Sequence, residues 1–188
     1  MEDKSLSALI SIMNDVQNYF MNELEGGIAT HAANPESWAY VGINIEWALS
    51  QLRFVREYFP ENASPSFIDC GAGLGFISIL ARNLGFKATG IEFSTRYVEL
   101  ARKLFPHAQT FEGDMLTFDN YAQYDVIFYY GPFKDEVFQE QFEHKVEAEA
   151  KSGAIIIANR KVSEAWRTSA QFRLLKEDTV VSWIIQKV

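Results

Sequence analysis

Cysteine, histidine and runs of basic residues are all scarce in this chain, and each scarcity excludes something. A single cysteine, Cys70, rules out an internal disulfide and points to a reducing compartment, the cytoplasm. Three histidines and that one cysteine lie far apart, which gives no metal-ligand spacing, so no metal site is expected. No apolar run approaches the roughly 18 residues of a membrane-spanning helix. The opening Met1-Glu2-Asp3-Lys4 is too acidic for a signal peptide. No run of lysine and arginine exceeds two residues and the net charge is −8, so the basic face that grips a phosphate backbone is missing. Nucleic acid and membrane are therefore disfavoured as partners. A small molecule or a basic protein segment suits the acidic surface better. With 188 residues, 48% hydrophobic and 22% charged, the chain is long and apolar enough for one compact domain, and disorder is not expected.

What is present concentrates in one stretch, Phe67-Ile68-Asp69-Cys70-Gly71-Ala72-Gly73-Leu74-Gly75-Phe76. A short apolar run ends in an acid, turns on three alternating glycines and re-enters an apolar pattern of helical spacing. That is a strand, a tight loop and a helix, and such a loop lets the backbone approach a ligand because glycine tolerates positive φ. The spacing is not the dinucleotide fingerprint G-x-G-x-x-G, since Phe76 stands where the third glycine would open the helix against the strand. The phosphate loop G-x-x-x-x-G-K-[ST] is absent too. The loop is expected to meet a nucleoside-like ligand that needs no pyrophosphate cradle.

Two further strand ends carry acids. Lys87-Ala88-Thr89-Gly90-Ile91-Glu92-Phe93 places Glu92 21 residues after Gly71, close to the offset at which an acid meets a ribose diol in doubly wound folds. Thr110-Phe111-Glu112-Gly113-Asp114-Met115 ends a third strand in a Gly-Asp pair. Together, over about residues 66–160, these motifs resemble those of the class I S-adenosylmethionine-dependent methyltransferases. The resemblance implies S-adenosyl-L-methionine as cofactor. On it, Asp69 and the loop Gly71, Ala72, Gly73 and Gly75 line the methionine end, and Glu92 accepts both ribose hydroxyls. Phe93 packs on adenine, Asp114 accepts the adenine amino group, and Met115 offers a backbone N–H and an apolar side. The chemistry is consistent, because hydroxyls and amines donate and ionised carboxylates only accept.

The resemblance also implies transfer of a methyl to a small-molecule or protein acceptor, mainly by aligning nucleophile, methyl and sulfur in line. Tyr129-Tyr130-Gly131-Pro132-Phe133 ends the fourth strand, which makes Tyr129 and Tyr130 the candidate catalytic residues, facing the methylsulfonium or orienting the acceptor. The segment is similar to the N/D-P-P-F/Y motif of amino-group methyltransferases. It departs from it, since Tyr130 and Gly131 replace the Asn or Asp and the first Pro. Methylation of adenine, cytosine or glutamine nitrogen is thereby disfavoured. A non-catalytic binding protein for S-adenosylmethionine or a nucleotide stays open, as does an NAD-type oxidoreductase, which the glycine spacing disfavours.

Alternating strands and helices predict an α/β fold, a doubly wound, mostly parallel seven-stranded sheet with helices on both faces. The apolar segments Tyr124–Tyr130 and Ala154–Ala158 read as its fourth and fifth strands. Gln171–Leu175 and Val180–Val188 are expected to close it as an antiparallel hairpin across Lys176–Thr179. Residues 63–188 form the cofactor core and residues 1–62 a helical N-terminal extension. Leu6, Leu9, Ile10, Met13, Val16, Phe20 and Leu24 recur at helical steps up to Gly26-Gly27. A second stripe, Trp38, Val41, Ile45, Leu49, Leu52 and Val55, follows the start signal Asn34-Pro35. Between the helices His31, Trp38 and Tyr40 form either a lid over the cofactor or a packed junction.

Overall fold

A computed structural model describes residues 3–23, 41–107 and 109–188. Seven strands form one sheet in the order β3-β2-β1-β4-β5-β7-β6. These are β1 (Ser66–Cys70), β2 (Lys87–Glu92), β3 (Thr110–Glu112), β4 (Val126–Tyr130), β5 (Ile155–Asn159), β6 (Phe172–Thr179) and β7 (Ser182–Lys187). The first five run parallel, and β7 pairs antiparallel with both β5 and β6. The sheet has the doubly wound α/β form expected of the alternating pattern. Both faces of β4 and β5 are covered, which is why these strands read as unbroken apolar runs.

The two faces are filled by separate cores. On one, α1 (Asp3–Glu23), α2 (Ile45–Arg56), α3 (Phe76–Asn83) and α4 (Thr95–Leu104) pack with Met13, Leu52, Leu80, Tyr97 and Leu100 against Phe67, Phe128, Ile157 and Ile184. On the other, α5 (Glu136–Glu149) packs Phe142 and Val146 against Ile127, Tyr129, Ile156 and Ile185. Among the described residues β3 and β4 are joined through a single 3-10 turn, Tyr121–Gln123, and β5 and β6 through another, Ala165–Thr168.

The N-terminal helices are continuous with the sheet's core. Gln51 of α2 is fully buried and exchanges two amide hydrogen bonds with Asn159 at the end of β5, at 2.9 and 3.0 Å, and donates a third to Asp178 of β6 at 2.8 Å. Helix α2 starts later than its apolar stripe predicts. Asn44 is the cap, accepting the Trp47 N–H at 2.8 Å, and Val41 precedes the helix. Leu24, the Gly26-Gly27 stop, the Asn34-Pro35 signal and the trio His31, Trp38 and Tyr40 lie outside the described residues.

The closing hairpin also turns later than expected. Lys176–Thr179 belongs to β6, and the turn falls at Val180-Val181. Charges that read as a loop are stable there because the strand is an edge and each finds a partner. Lys176 pairs with Asp178 at 2.5 Å and lies over the Phe54 ring, and Glu177 accepts the Trp183 indole N–H at 3.4 Å. Tyr124 and Asp125 precede β4 rather than open it, with the Asp125 carboxylate accepting the N–H and the hydroxyl of Ser66 at 2.7 and 2.8 Å.

Candidate functional site

The carboxyl ends of β1, β2, β3 and β4 converge, as ligand sites do in doubly wound sheets. Gly71, Gly73 and Gly75 between β1 and α3 have φ of +79°, +51° and +79°. A side chain at any of the three would be strained. Gly75 is also the N-cap of α3. The loop is closed by hydrogen bonds from the N–H groups of Gly71 and Ala72 to the Ile91 carbonyl, at 2.9 and 3.0 Å, and from Gly75 N–H to the Ala72 carbonyl at 2.8 Å.

Close approach of helix and strand, with Phe76 in place of a third glycine, is achieved from the neighbouring strand. A Cβ on Gly90 of β2 would come within 2.6 Å of the Ala72 Cβ and 3.1 Å of the Ser78 hydroxyl. Phe76 turns into the core, edge-on to Phe105 with ring centres 5.7 Å apart.

Glu92 ties the loop to the second strand end. One carboxylate oxygen accepts the Gly73 N–H at 2.8 Å and the other the Ser94 N–H at 2.9 Å. Ser94 thus occupies the N-cap of α4 without a side-chain cap bond of its own. Each oxygen of Glu92 retains acceptor capacity, since a carboxylate offers about four lone-pair positions. Asp69, at the buried end of β1, accepts a long 3.4 Å hydrogen bond from the Ser78 hydroxyl, and the Ser78 N–H also favours its charged form. Burial, and then the charge of Glu92, push the Asp69 carboxyl up to about 7. Burial also raises Glu92, against the pull of the N–H groups of Ser94 and Gly73. Two buried carboxyls whose charged forms burial disfavours favour a ligand that brings positive charge or hydrogen-bond donors.

Asp114 follows β3, half-buried. One oxygen accepts the Leu116 N–H at 2.9 Å, and the other has no hydrogen-bond partner among the described residues. Met115 is buried, its carbonyl fixed by the Tyr121 hydroxyl at 2.9 Å and its methyl 4.0 Å from where a Gly71 Cβ would stand. Phe93 is 38% exposed beside Glu92, an uncommon position for a phenyl ring on a strand end. All nine residues expected to bind a cofactor therefore lie at the carboxyl ends of β1, β2 and β3 or on the loop after β1.

The two tyrosines part company. Tyr129 points into the α5 core, packed 5.2 Å from Phe142, and burial holds its hydroxyl in the protonated form. Tyr130 points to the other face, next to Trp47 of α2 with ring centres 6.2 Å apart. Cys70 pairs with Tyr129 across β1 and β4, so Tyr130 stands beside Gly71. Pro132 completes the contact, 3.0 Å from the Cβ position of Gly71. Cys70 is enclosed, and burial raises its thiol, as befits a small core residue rather than a nucleophile.

Two residues with a part in this rim escaped the sequence reading, Trp47 and Arg160, and Gly131 entered it only as a departure from a motif. Arg160 has φ +52°, and its guanidinium lies over the Tyr130 ring, 5.6 Å from the centre. An arginine after an apolar run carries no distinctive signal. Its left-handed backbone is visible only in three dimensions.

A sheet of order 3-2-1-4-5-7-6 with its last strand pair antiparallel, a glycine loop after β1 and acids after β2 and β3 defines the class I S-adenosylmethionine-dependent methyltransferase fold. The chain is similar to a TehB-like S-adenosylmethionine-dependent methyltransferase from Corynebacterium glutamicum, at 15% identity and TM-score 0.55, over 95% of this chain and 99% of that one. It is also similar to S-adenosylmethionine-bound CalS10, an amino pentose methyltransferase from Micromonospora echinaspora, at 18% identity and TM-score 0.53, over 73% and 60% of the two chains. A point mutant of MtNAS in complex with S-adenosylmethionine aligns at 16% identity and TM-score 0.55, over 74% and 61%. The chain thus spans about six-tenths of the length of the latter two. At these identities the likeness is one of fold. The sequence matches no protein-family model and no curated protein.

Proposed function

We propose that this chain is an S-adenosylmethionine-dependent methyltransferase acting on a small-molecule or protein acceptor. The observation that carries the reading is the Glu92 carboxylate, bound to the N–H of Gly73 inside a loop whose three glycines all have positive φ. That arrangement couples a nucleoside-sized cradle directly to the acid beside it. The residues fit the cofactor in kind: Glu92 for a ribose diol, the open oxygen of Asp114 for an exocyclic amine, and Phe93 and Met115 as apolar walls for the base. Asp69 lies beneath the loop as a carboxyl whose ionisation a nearby cation would favour. Structures of the same fold are described with S-adenosylmethionine bound.

When bound, this cofactor supplies an electrophilic methyl on a sulfonium, which departs as a neutral thioether and needs no acid catalyst. The chain's work is then to hold and align. Glu92 and the loop fix one end, the Gly71–Pro132 contact sets the distance to β4, and Tyr130 with Trp47 forms an aromatic wall on the acceptor side.

Calorimetry with S-adenosylhomocysteine tests the reading. The wild-type chain should bind, and Glu92→Gln and Asp114→Asn should each weaken binding by about tenfold to a hundredfold, as loss of hydrogen bonds to a charged acceptor implies. Absence of binding by folded wild type, or unaltered affinity when both acids are replaced, would overturn it.

A further inference from the structure

The turn that carries Asp114 is organised around one peptide unit. The Leu116 N–H donates to the Asp114 Oδ1 at 2.9 Å and so orients the carboxylate. That N–H and the Met115 carbonyl belong to the same planar amide, and they point in opposite directions from it. On the carbonyl side the Tyr121 hydroxyl donates to Met115 at 2.9 Å. Two hydrogen bonds in series therefore run from Tyr121, through a rigid amide, to Asp114, and each polarises the other. Because the carboxylate is planar, holding Oδ1 against the backbone sets the direction of Oδ2 as well. The rest of the turn is pinned independently. The Gly113 N–H donates to the Glu92 carbonyl at 3.0 Å, and the Asp114 carbonyl accepts the N–H groups of Thr117 and Phe118 at 3.2 and 2.9 Å. Tyr121 is fully buried in the 3-10 turn before β4, edge-on to Phe118 at 5.0 Å and to Phe142 of α5 at 6.3 Å. Phe118 in turn stacks obliquely with Phe111 of β3 at 5.8 Å. A phenylalanine would fill the same ring site without burying a hydroxyl. Burial keeps that hydroxyl protonated, which makes it a donor throughout the neutral range.

We infer that Tyr121 is a positioning residue for the cofactor's base: through the Met115–Leu116 amide it aims Asp114 at an amino group, and so sets the chain's selectivity for an amino purine over an oxo purine. This rests on the methyltransferase reading above and deepens it by naming what selects the base. An exocyclic amine presents N–H donors to a carboxylate, which only accepts. An oxo group in its place presents an acceptor to an acceptor, so a hydrogen bond is lost and repulsion is gained. The discrimination depends on the carboxylate being held still. A carboxylate free to swing turns away from the oxo group at little cost, and meets the amine in only part of its orientations. Tyr121 acts through the amide and not on the base. Loss of its hydroxyl therefore acts on selectivity first, while Asp69, Glu92 and the glycine loop keep their own bonds.

Two measurements test this. In the first, calorimetry compares S-adenosylhomocysteine with S-inosylhomocysteine, in which an oxo group replaces the amine, on wild type, Tyr121→Phe, Asp114→Asn and the double variant. Wild type should prefer the amino compound by about tenfold or more. Tyr121→Phe should cut that preference by about threefold or more, with the loss falling on the amino compound and the oxo compound binding as before or better. In the Asp114→Asn background the same change should alter the ratio by less than about twofold, because the group it positions is gone. A hydroxyl that served the fold alone would weaken both compounds alike and leave the ratio where it was. The second measurement uses wild type only and decides the matter should Tyr121→Phe fail to fold. In assigned NMR spectra, the Leu116 amide and the Tyr121 ring resonances should shift together on saturation with S-adenosylhomocysteine, and by about half as much or less with the oxo compound. An unchanged ratio in Tyr121→Phe, the same loss of ratio in both backgrounds, no preference in wild type, or equal shifts with the two compounds overturns the inference while leaving cofactor binding intact. Failure of folded wild type to bind S-adenosylhomocysteine instead overturns the methyltransferase reading and this inference with it.

Discussion

Replacing Asp69 by Asn should make the protein more stable at pH 8 and leave it nearly unchanged at pH 4. Asp69 is 2% exposed, and its ionised form is disfavoured first by burial and then by Glu92, against the weaker pull of the Ser78 N–H and hydroxyl. The carboxyl ionises at about 7 in the folded chain against 3.8 in the unfolded one. Between those values the folded state holds a proton that the unfolded state has lost. Stability from this group is therefore complete below about pH 4, falls as pH rises, and is gone above about pH 7. Holding the carboxyl over that interval corresponds to about 4 kcal/mol at the upper limit. Asn copies the neutral acid and does not titrate. Urea unfolding of both proteins from pH 4 to pH 8 should give a difference that opens steadily with pH and levels off near 7. Comparing the two cancels other groups, including Asp125. There the pull of Lys151 and Ser66 overcomes the effect of partial burial, so its contribution is present above 3.8 and lost as pH falls through its lowered value. Glu92→Gln should move the levelling-off to lower pH by removing the second cause. Parallel profiles for wild type and Asp69→Asn would refute the reasoning.

Other substitutions probe the scaffold. Gly90→Ala should cost about 1–3 kcal/mol in urea unfolding and weaken S-adenosylhomocysteine binding, because the new methyl would collide with Ala72 in the glycine loop at 2.6 Å. Glu143→Ala strips the partner from Lys161 and two backbone N–H groups, and should cost about 3 kcal/mol or more, with faster hydrogen exchange at Val162, Ser163 and Phe133. Arg160→Gly should raise the unfolding free energy by about 1 kcal/mol as left-handed strain is relieved. A fall in stability there would mean that the contacts of the Arg160 side chain outweigh its backbone strain.

Legibility in the sequence followed how local the cause was. The glycine loop, the acids that end β2 and follow β3, and the apolar β4 and β5 carry their reasons within about ten residues, and each lies within two residues of where its pattern places it. The hairpin turn does not. Lys176, Glu177 and Asp178 look like a loop until their partners Phe54, Trp183 and Gln51 are known, and two of those are more than a hundred residues away. The apolar stripe of α2 runs ahead of its true cap because apolar residues continue before the helix begins, Ile43 among them packing into the core. Tyr129 and Tyr130 are equivalent in sequence, and only the two-residue period of a strand, once its register with β1 is fixed, sends them to opposite cores. The rim around Arg160 is the least legible part, since it arises from a brace linking α5 to two loops.

The position of β7 has a consequence for the order of assembly during synthesis. It is the last of the seven strands to leave the ribosome, yet it sits inside the sheet, between β5 and β6. Until it arrives, β5 exposes a whole row of unpaired peptide groups flanked by Ile155, Ile156 and Ile157, and β6 has nothing to pair with. From the emergence of β5 until β7 follows it, the nascent chain therefore carries an unfinished sheet flank, a state prone to aggregation.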